Sequence, residues 1–172
     1  MGVFYAKGGT TGNIMIITPK CLEKVVMVGG YFDPIHPGHI KYFQEAKKLG
    51  TWLIVAIDGN ERTINKKGAY FMPAEDRAEI IKALECVDEV YIENVDIKEA
   101  LRHHMPDIFC KSGDRNSRET IPEWGLCDEL GIEVKIVEIT EGIKKYSSSD
   151  YLKHWEEHFL NKEDRIKLLN DD

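Results

Sequence analysis

Five short apolar runs, separated by segments with helical spacing, constrain the fold of this chain more than any other feature. The runs are residues 24–28, Trp52 to Ile57, Val90-Tyr91-Ile92, Ile108-Phe109-Cys110 and Val134 to Val137. They are short and rich in β-branched or aromatic residues, which marks buried strands rather than buried helices. Residues 38–49 place Ile40, Phe43, Ala46 and Leu49 on one helical face, with Gly50 as the stop. Pro73 opens a second helix carrying Ile80, Ile81, Leu84 and Val87. Residues 97–105 and 122–130 read as two more, and a last helix starts near Ser147. Residues 58–72 read as a polar loop. Strands that alternate with helices pair in parallel, because each crossover returns the chain to the same end of the sheet. The expected fold is α/β: a Rossmann-like three-layer α/β/α sandwich with a five-stranded parallel sheet. Residues 1–20 read as a flexible leader, 21–160 as the domain and 161–172 as a charged tail.

At 172 residues the chain is one domain with enough length to bury a core. Lys plus Arg number 23 against 30 Asp plus Glu, a net charge of −7, which argues against a general nucleic-acid binder. No apolar run approaches the ~18 residues of a membrane span, and no signal peptide is visible. Cys21, Cys86, Cys110 and Cys127 share no C-x-x-C spacing, and no histidine pair completes a zinc site. Cys86, Cys110 and Cys127 read as buried thiols in a reduced, cytoplasmic protein.

The first strand runs into Gly29-Gly30-Tyr31-Phe32-Asp33-Pro34-Ile35-His36-Pro37-Gly38-His39. Two histidines three apart therefore sit where a strand becomes a helix, at the carboxyl end of the sheet. Open α/β folds bind nucleotides there. Free backbone N–H groups and the positive end of the helix dipole suit phosphate, and imidazoles beside them can hydrogen-bond its oxygens. No G-x-G-x-x-G follows the first strand and no Walker A sequence is present, so the histidine loop is the phosphate-binding device. The missing fingerprint also argues against a nicotinamide-dependent oxidoreductase.

Gly30, Phe32, Asp33, His36, Gly38 and His39 match the pattern G-x-F-D-x-x-H-x-G-H in full. The chain thus resembles the HxGH nucleotidyltransferase superfamily, which includes cytidylyltransferases and ADP-heptose-forming adenylyltransferases, from about Lys24 to Leu152. The resemblance implies catalytic roles for His36, His39 and Lys67, the last in the Lys66-Lys67-Gly68 stretch. It implies nucleotide contacts from Gly30, Tyr31, Phe32, Asp33 and Gly38. Lys111-Ser112-Gly113-Asp114 is similar to a K-G-G-D stretch, so Gly113 and Asp114 join the nucleotide set. Ser147, Ser148 and Ser149 stand where the family has G-I-S-T-T, with Lys144-Lys145-Tyr146 inserted after Gly142-Ile143. Lys66 and Arg77, the latter in an E-x-R match, are expected on the acceptor or a phosphate.

The implied reaction transfers a nucleoside monophosphate from ATP or CTP to a phosphorylated small molecule of sugar-1-phosphate or heptose-phosphate type. Pyrophosphate leaves. Mg²⁺ comes with the triphosphate, held by phosphates and water rather than by a protein metal site. Ile139 stands before Thr140-Glu141-Gly142, where cytidylyltransferases carry arginine, which favours the ADP-heptose type. A cytidylyltransferase acting on glycerol-3-phosphate or a similar alcohol phosphate is the alternative, and a non-catalytic nucleotide-binding protein is the alternative of another class. The expected partners are these small molecules and a second copy of the chain, with no nucleic acid and no membrane.

Overall fold

The computed structural model describes residues 4–7, 14–17, 23–112, 115–139 and 147–157. Within the segment read as a leader, β1 (Phe4–Lys7) and β2 (Ile14–Ile17) pair as an antiparallel ribbon. The main sheet contains β3 (Val25–Gly30), β4 (Trp52–Asp58), β5 (Glu89–Glu93), β6 (Ile108–Ser112) and β7 (Glu133–Val137). Its order is β5-β4-β3-β6-β7, and every pair is parallel. The helices are α1 (Pro37–Lys47), α2 (Asn60–Lys67), α3 (Ala74–Lys82), α4 (Ile97–His104) and α5 (Trp124–Leu130), and residues 148–157 are helical. The five-stranded Rossmann-like sandwich expected from the alternation is the fold. Among the described residues no helix is long and apolar enough to cross a membrane.

The two-residue period of the strands builds two cores. Val26, Val28, Leu53, Val55, Ile57, Ile108 and Cys110 face one side, against Phe43, Ala46 and Ile81 of α1 and α3. Met27, Ile54, Ala56 and Phe109 face the other, against Ile97 and Leu101 of α4 and Leu126 and Cys127 of α5. Strands covered on both faces read as unbroken apolar runs, which is why these were visible in sequence. Cys110 and Cys127 are buried as expected; Cys86 is only half-buried.

The order also locates a crevice. The chain winds from β3 outward through β4 to β5, then returns to the other side of β3 for β6 and β7. Pairing between β3 and β6 runs from Val26↔Ile108 to Val28↔Cys110 and stops. Gly29, Gly30, Lys111 and Ser112 therefore lie beyond the last paired residues, at the switch point where open sheets receive ligands.

One expected loop is a helix. Residues 60–67 form α2, although no apolar stripe announces it, because only Thr63 of that helix is buried. Its signals are terminal instead. Glu61 lies in the first turn, Lys66 and Lys67 in the last, and Gly68 ends it in the left-handed region at φ 87°.

Gly50 marks a close crossing of two backbones, where the chain leaves α1 and passes the start of β3. Thr51 N donates to Lys24 O at 2.9 Å there. A Cβ on Gly50 would lie 2.3 Å from that same carbonyl oxygen and 2.6 Å from Val26 Cγ2. Gly50→Ala should lower unfolding stability by about 1–3 kcal/mol, the usual range for overpacking. Urea denaturation measures it, and an unchanged midpoint would contradict the crossing described here.

Candidate active site

The loop that carries the histidines is held from below. Asp33 is 3% exposed, and its carboxylate accepts from Phe71 N at 2.7 Å and Met72 N at 2.9 Å. Arg77 is 0% exposed; its Nε donates to Met72 O at 2.9 Å and its Nη1 to Tyr31 O at 2.5 Å. The two side chains thus fasten the β3–α1 loop to the segment before α3 through four main-chain contacts. Arg77 was expected on phosphate and Asp33 on nucleotide. Both are instead engaged with backbone and neither lines the cavity described below. Arg77 keeps one buried group, Nη2, without a partner among the described residues.

Above this base the chain makes a sharp entry into α1. Phe32 takes φ 51°, and the Asp33–Pro34 peptide is cis. The Phe32 ring packs edge-on against Phe43 at 4.9 Å and against His39 at 5.0 Å, so an unusual backbone angle supports one histidine directly. His36 is the N-cap of α1, with extended backbone, and its Nδ1 accepts from Gly38 N at 3.1 Å. That bond assigns the neutral tautomer: Nδ1 is the acceptor, so Nε2 carries the proton. Pro37 at the first helical position removes a donor that would otherwise lack a partner.

His36 and His39 stack with ring centroids 3.7 Å apart and an interplanar angle of 27°. Burial lowers the His36 pKa. Burial, then His36 and then Lys67, lower that of His39 to about 3. The unliganded pair is therefore neutral at physiological pH.

A cavity of about 560 Å³ opens over the carboxyl ends of β3, β4 and β6. Of the residues expected at a site, Gly30, Tyr31, Phe32, His39, Lys66, Lys67 and Ser148 line it. The Lys67 ammonium sits 4.3 Å from the Tyr31 ring centre, a cation–π contact that aims a point charge at the cavity. Ser148 Oγ donates to Pro34 O at 3.0 Å, tying the helix at 148–157 to the histidine loop. Ser147 is the cap instead. Its N–H and hydroxyl donate to Asp150 Oδ2 at 2.7 Å each, and its oxygen accepts from Asp150 N at 3.3 Å. That is a capping box. Ser149 is exposed, Gly38 lies within α1, and His36 lines a neighbouring groove with Pro34, Phe71 and Tyr151; of the histidine pair only His39 lines this cavity. Gly113, Asp114 and the 140–146 segment lie outside the described residues.

Sequence reasoning missed a second half of the cavity, lined by Asp58, Arg62, Asp96 and Lys98 on one side and by Lys111 and Glu123 on the other. Lys111 and Glu123 form a buried pair at 3.5 Å, and burial pulls the Lys111 pKa down. Asp58 was legible as the polar end of an apolar strand. Arg62 lay within the missed helix and carried no signal. Among the described residues no group of three or more His, Cys, Asp or Glu could hold a metal ion.

Residues 27–154 match the cytidylyltransferase-like family. The chain is 37% identical over 120 residues to the FAD synthase of Ferroglobus placidus, covering 67% of this chain and 76% of that one. It is 34% identical over 123 residues to the bifunctional protein HldE of a Nitratiruptor species, but spans only 26% of that protein's length. A Thermoplasma volcanium lipopolysaccharide core biosynthesis protein of known structure superposes with a TM-score of 0.59 at 31% identity, covering 73% of this chain and 99% of that one. The chain belongs to the cytidylyltransferase-like family and is an enzyme of nucleotidyltransferase type.

Two predictions follow from this geometry. The unfolded chain binds a proton on His39 below pH 6.5, whereas the folded protein resists it down to about pH 3. Stability should therefore be intact above pH 6.5 and fall as pH drops through that window. His39→Gln should flatten the fall, read as melting temperature against pH; an equal acid loss in the variant would contradict the neutral pair. Separately, Ser147→Ala should cost about 1 kcal/mol of stability through loss of the cap. Nucleotide affinity per folded molecule, by calorimetry, should not change, and a weakened affinity would give Ser147 a ligand role.

Proposed function

We propose that this chain transfers a nucleoside monophosphate from a nucleoside triphosphate to a phosphorylated small molecule of sugar-phosphate type, releasing pyrophosphate. The observation that carries the reading is the stacked histidine pair at the start of α1, with His39 sharing one cavity with Lys66 and Lys67.

An oxygen of the acceptor phosphate attacks the α-phosphorus in line, and the bond from that phosphorus to the bridging oxygen of pyrophosphate breaks. An acceptor phosphate is already a competent nucleophile, so neither a covalent enzyme intermediate nor a strong base is required. Catalysis is then positioning and charge stabilisation. His36 and His39 donate to bridging and non-bridging oxygens, and Lys67 neutralises charge as it moves onto pyrophosphate. Mg²⁺ enters as part of the substrate and screens the triphosphate.

ATP is the favoured donor, because Ile139 replaces the arginine of the cytidylyltransferase pattern. A second acceptor is favoured by one observation: the FAD synthase relative is matched over 76% of its length. A flavin phosphate therefore stands beside the sugar phosphates as a candidate.

Pyrophosphate release over a grid of ATP, CTP, GTP and UTP against sugar-1-phosphates, glycerol-3-phosphate and flavin mononucleotide tests the reading. Turnover is expected with at least one phosphorylated acceptor, and with ATP at least as well as CTP. His39→Ala should lower it by about 10²–10³. Strict CTP dependence would overturn the base assignment. Nucleotide binding without pyrophosphate release in any combination would favour the non-catalytic reading.

A further inference from the structure

Asp58 ends β4 at the floor of the cavity and has no part in the proposed phosphate chemistry. It is 8% exposed. One carboxylate oxygen is held by Arg62 Nε in an ion pair. Arg62 is itself anchored: its Nη1 donates to Val95 O at 2.7 Å and lies 3.6 Å from Asp96 Oδ2. Nothing among the described residues hydrogen-bonds the other oxygen of Asp58. Asp58 lines the cavity, so a ligand or water there can supply the donor that this oxygen lacks.

The surroundings say which kind of donor fits. Asp58 and Asp96 are balanced by Arg62 and Lys98, so this end of the cavity is close to neutral. It does not call for a phosphate, which the lysine end already serves, nor for a cation. Uncharged O–H groups are the donors that remain, and one carboxylate oxygen with two lone pairs can accept from two of them. The position is apt as well. β4 lies directly beside β3, whose Gly29-Gly30 edge borders the switch-point crevice. A carboxylate near the end of the strand next to the phosphate-binding one is where open α/β folds grip the hydroxyls of a ribose.

We infer that Asp58 is the hydroxyl-binding residue of this cavity. Arg62 fixes its orientation, and its second oxygen accepts from a vicinal diol on one of the two substrates. The inference rests on the nucleotidyl-transfer reading, since it takes the cavity to hold a nucleotide together with a phosphorylated acceptor. The diol has two possible sources, the ribose of the triphosphate or the polyol of the acceptor.

Asp58→Asn separates them. The Asn oxygen can still accept from Arg62, which turns an NH₂ donor toward the ligand in place of the acceptor oxygen. Binding of ATP and 2′-deoxy-ATP is measured by calorimetry on both proteins, and KM is measured for hydroxylated acceptor phosphates and their deoxy analogues. If the ribose is the source, the variant loses about ten- to a hundredfold in ATP affinity while its 2′-deoxy-ATP affinity holds. If the acceptor is the source, the same loss falls on the KM of the hydroxylated acceptor alone, with kcat and nucleotide affinity kept.

Equal affinities and KM values in variant and wild type overturn the inference. Should the variant lose its cooperative melt, the wild-type comparison decides by itself: indifference to removal of the hydroxyls on both substrates overturns the inference. A wild-type protein that binds nucleotide but releases no pyrophosphate removes the nucleotidyl-transfer reading, while the ATP and 2′-deoxy-ATP binding arm still reports on Asp58.

Discussion

The histidine loop depends on the contacts that Asp33 and Arg77 make beneath it. A buried carboxylate receiving two main-chain N–H groups and a buried guanidinium giving to two main-chain carbonyls join segments nearly forty residues apart in sequence. Charge-assisted hydrogen bonds of this kind contribute about 1.5–3 kcal/mol each and have narrow geometry. What they hold in place is the backbone on either side of Phe32, which takes a rarely occupied angle. Such an angle persists only where the surroundings over-determine it. Phe32 then supports His39, His39 stacks on His36, and His36 caps α1. The chain of dependence runs from two buried side chains to the position of two imidazoles, and neither of the two lines the cavity beside His39.

This arrangement shows that a motif residue can serve the fold of its loop. Asp33 and Arg77 fit the family pattern as well as the histidines do, and pattern alone ranks all four together. Burial separates them. A planar guanidinium with several donors can satisfy carbonyls from two segments at once, which makes arginine as apt for fastening loops as for binding phosphate.

Most of the fold could be read in the sequence because the strands are covered on both faces and leave unbroken apolar runs. The placing of the histidine loop at the carboxyl end of the sheet followed from the alternation of strands and helices. What could not be read has two physical causes. α2 lies on the surface with Thr63 as its only buried residue, so no hydrophobic period marks it, and Arg62 vanished with it. The three serines look alike in sequence, yet they divide by a fraction of a helical turn. Ser147 closes a cap with Asp150, Ser148 reaches Pro34 at the cavity wall, and Ser149 faces solvent. Spacing shows that a helix starts there, but only the packed orientation of its first turn tells which hydroxyl points inward.

The electrostatics of the histidine pair bear on how such a site can favour a transition state. Two rings stacked at 3.7 Å cannot both carry a proton cheaply, and burial already holds each neutral. Lys66 and Lys67 line the same cavity, and their longer side chains can follow a phosphate. A polyanion entering the cavity adds negative charge beside the imidazoles, which reverses part of the penalty on protonation. In the proposed reaction their donating power therefore rises as negative charge accumulates on the departing pyrophosphate. Interactions that strengthen along the reaction lower the barrier, whereas those present equally in the ground state only tighten binding. A neutral stacked pair is suited to the first kind, and a fixed cation beside the resting triphosphate to the second. In the proposed reaction the lysines then act in capture of the triphosphate as well as on the departing pyrophosphate, and the histidines chiefly in conversion.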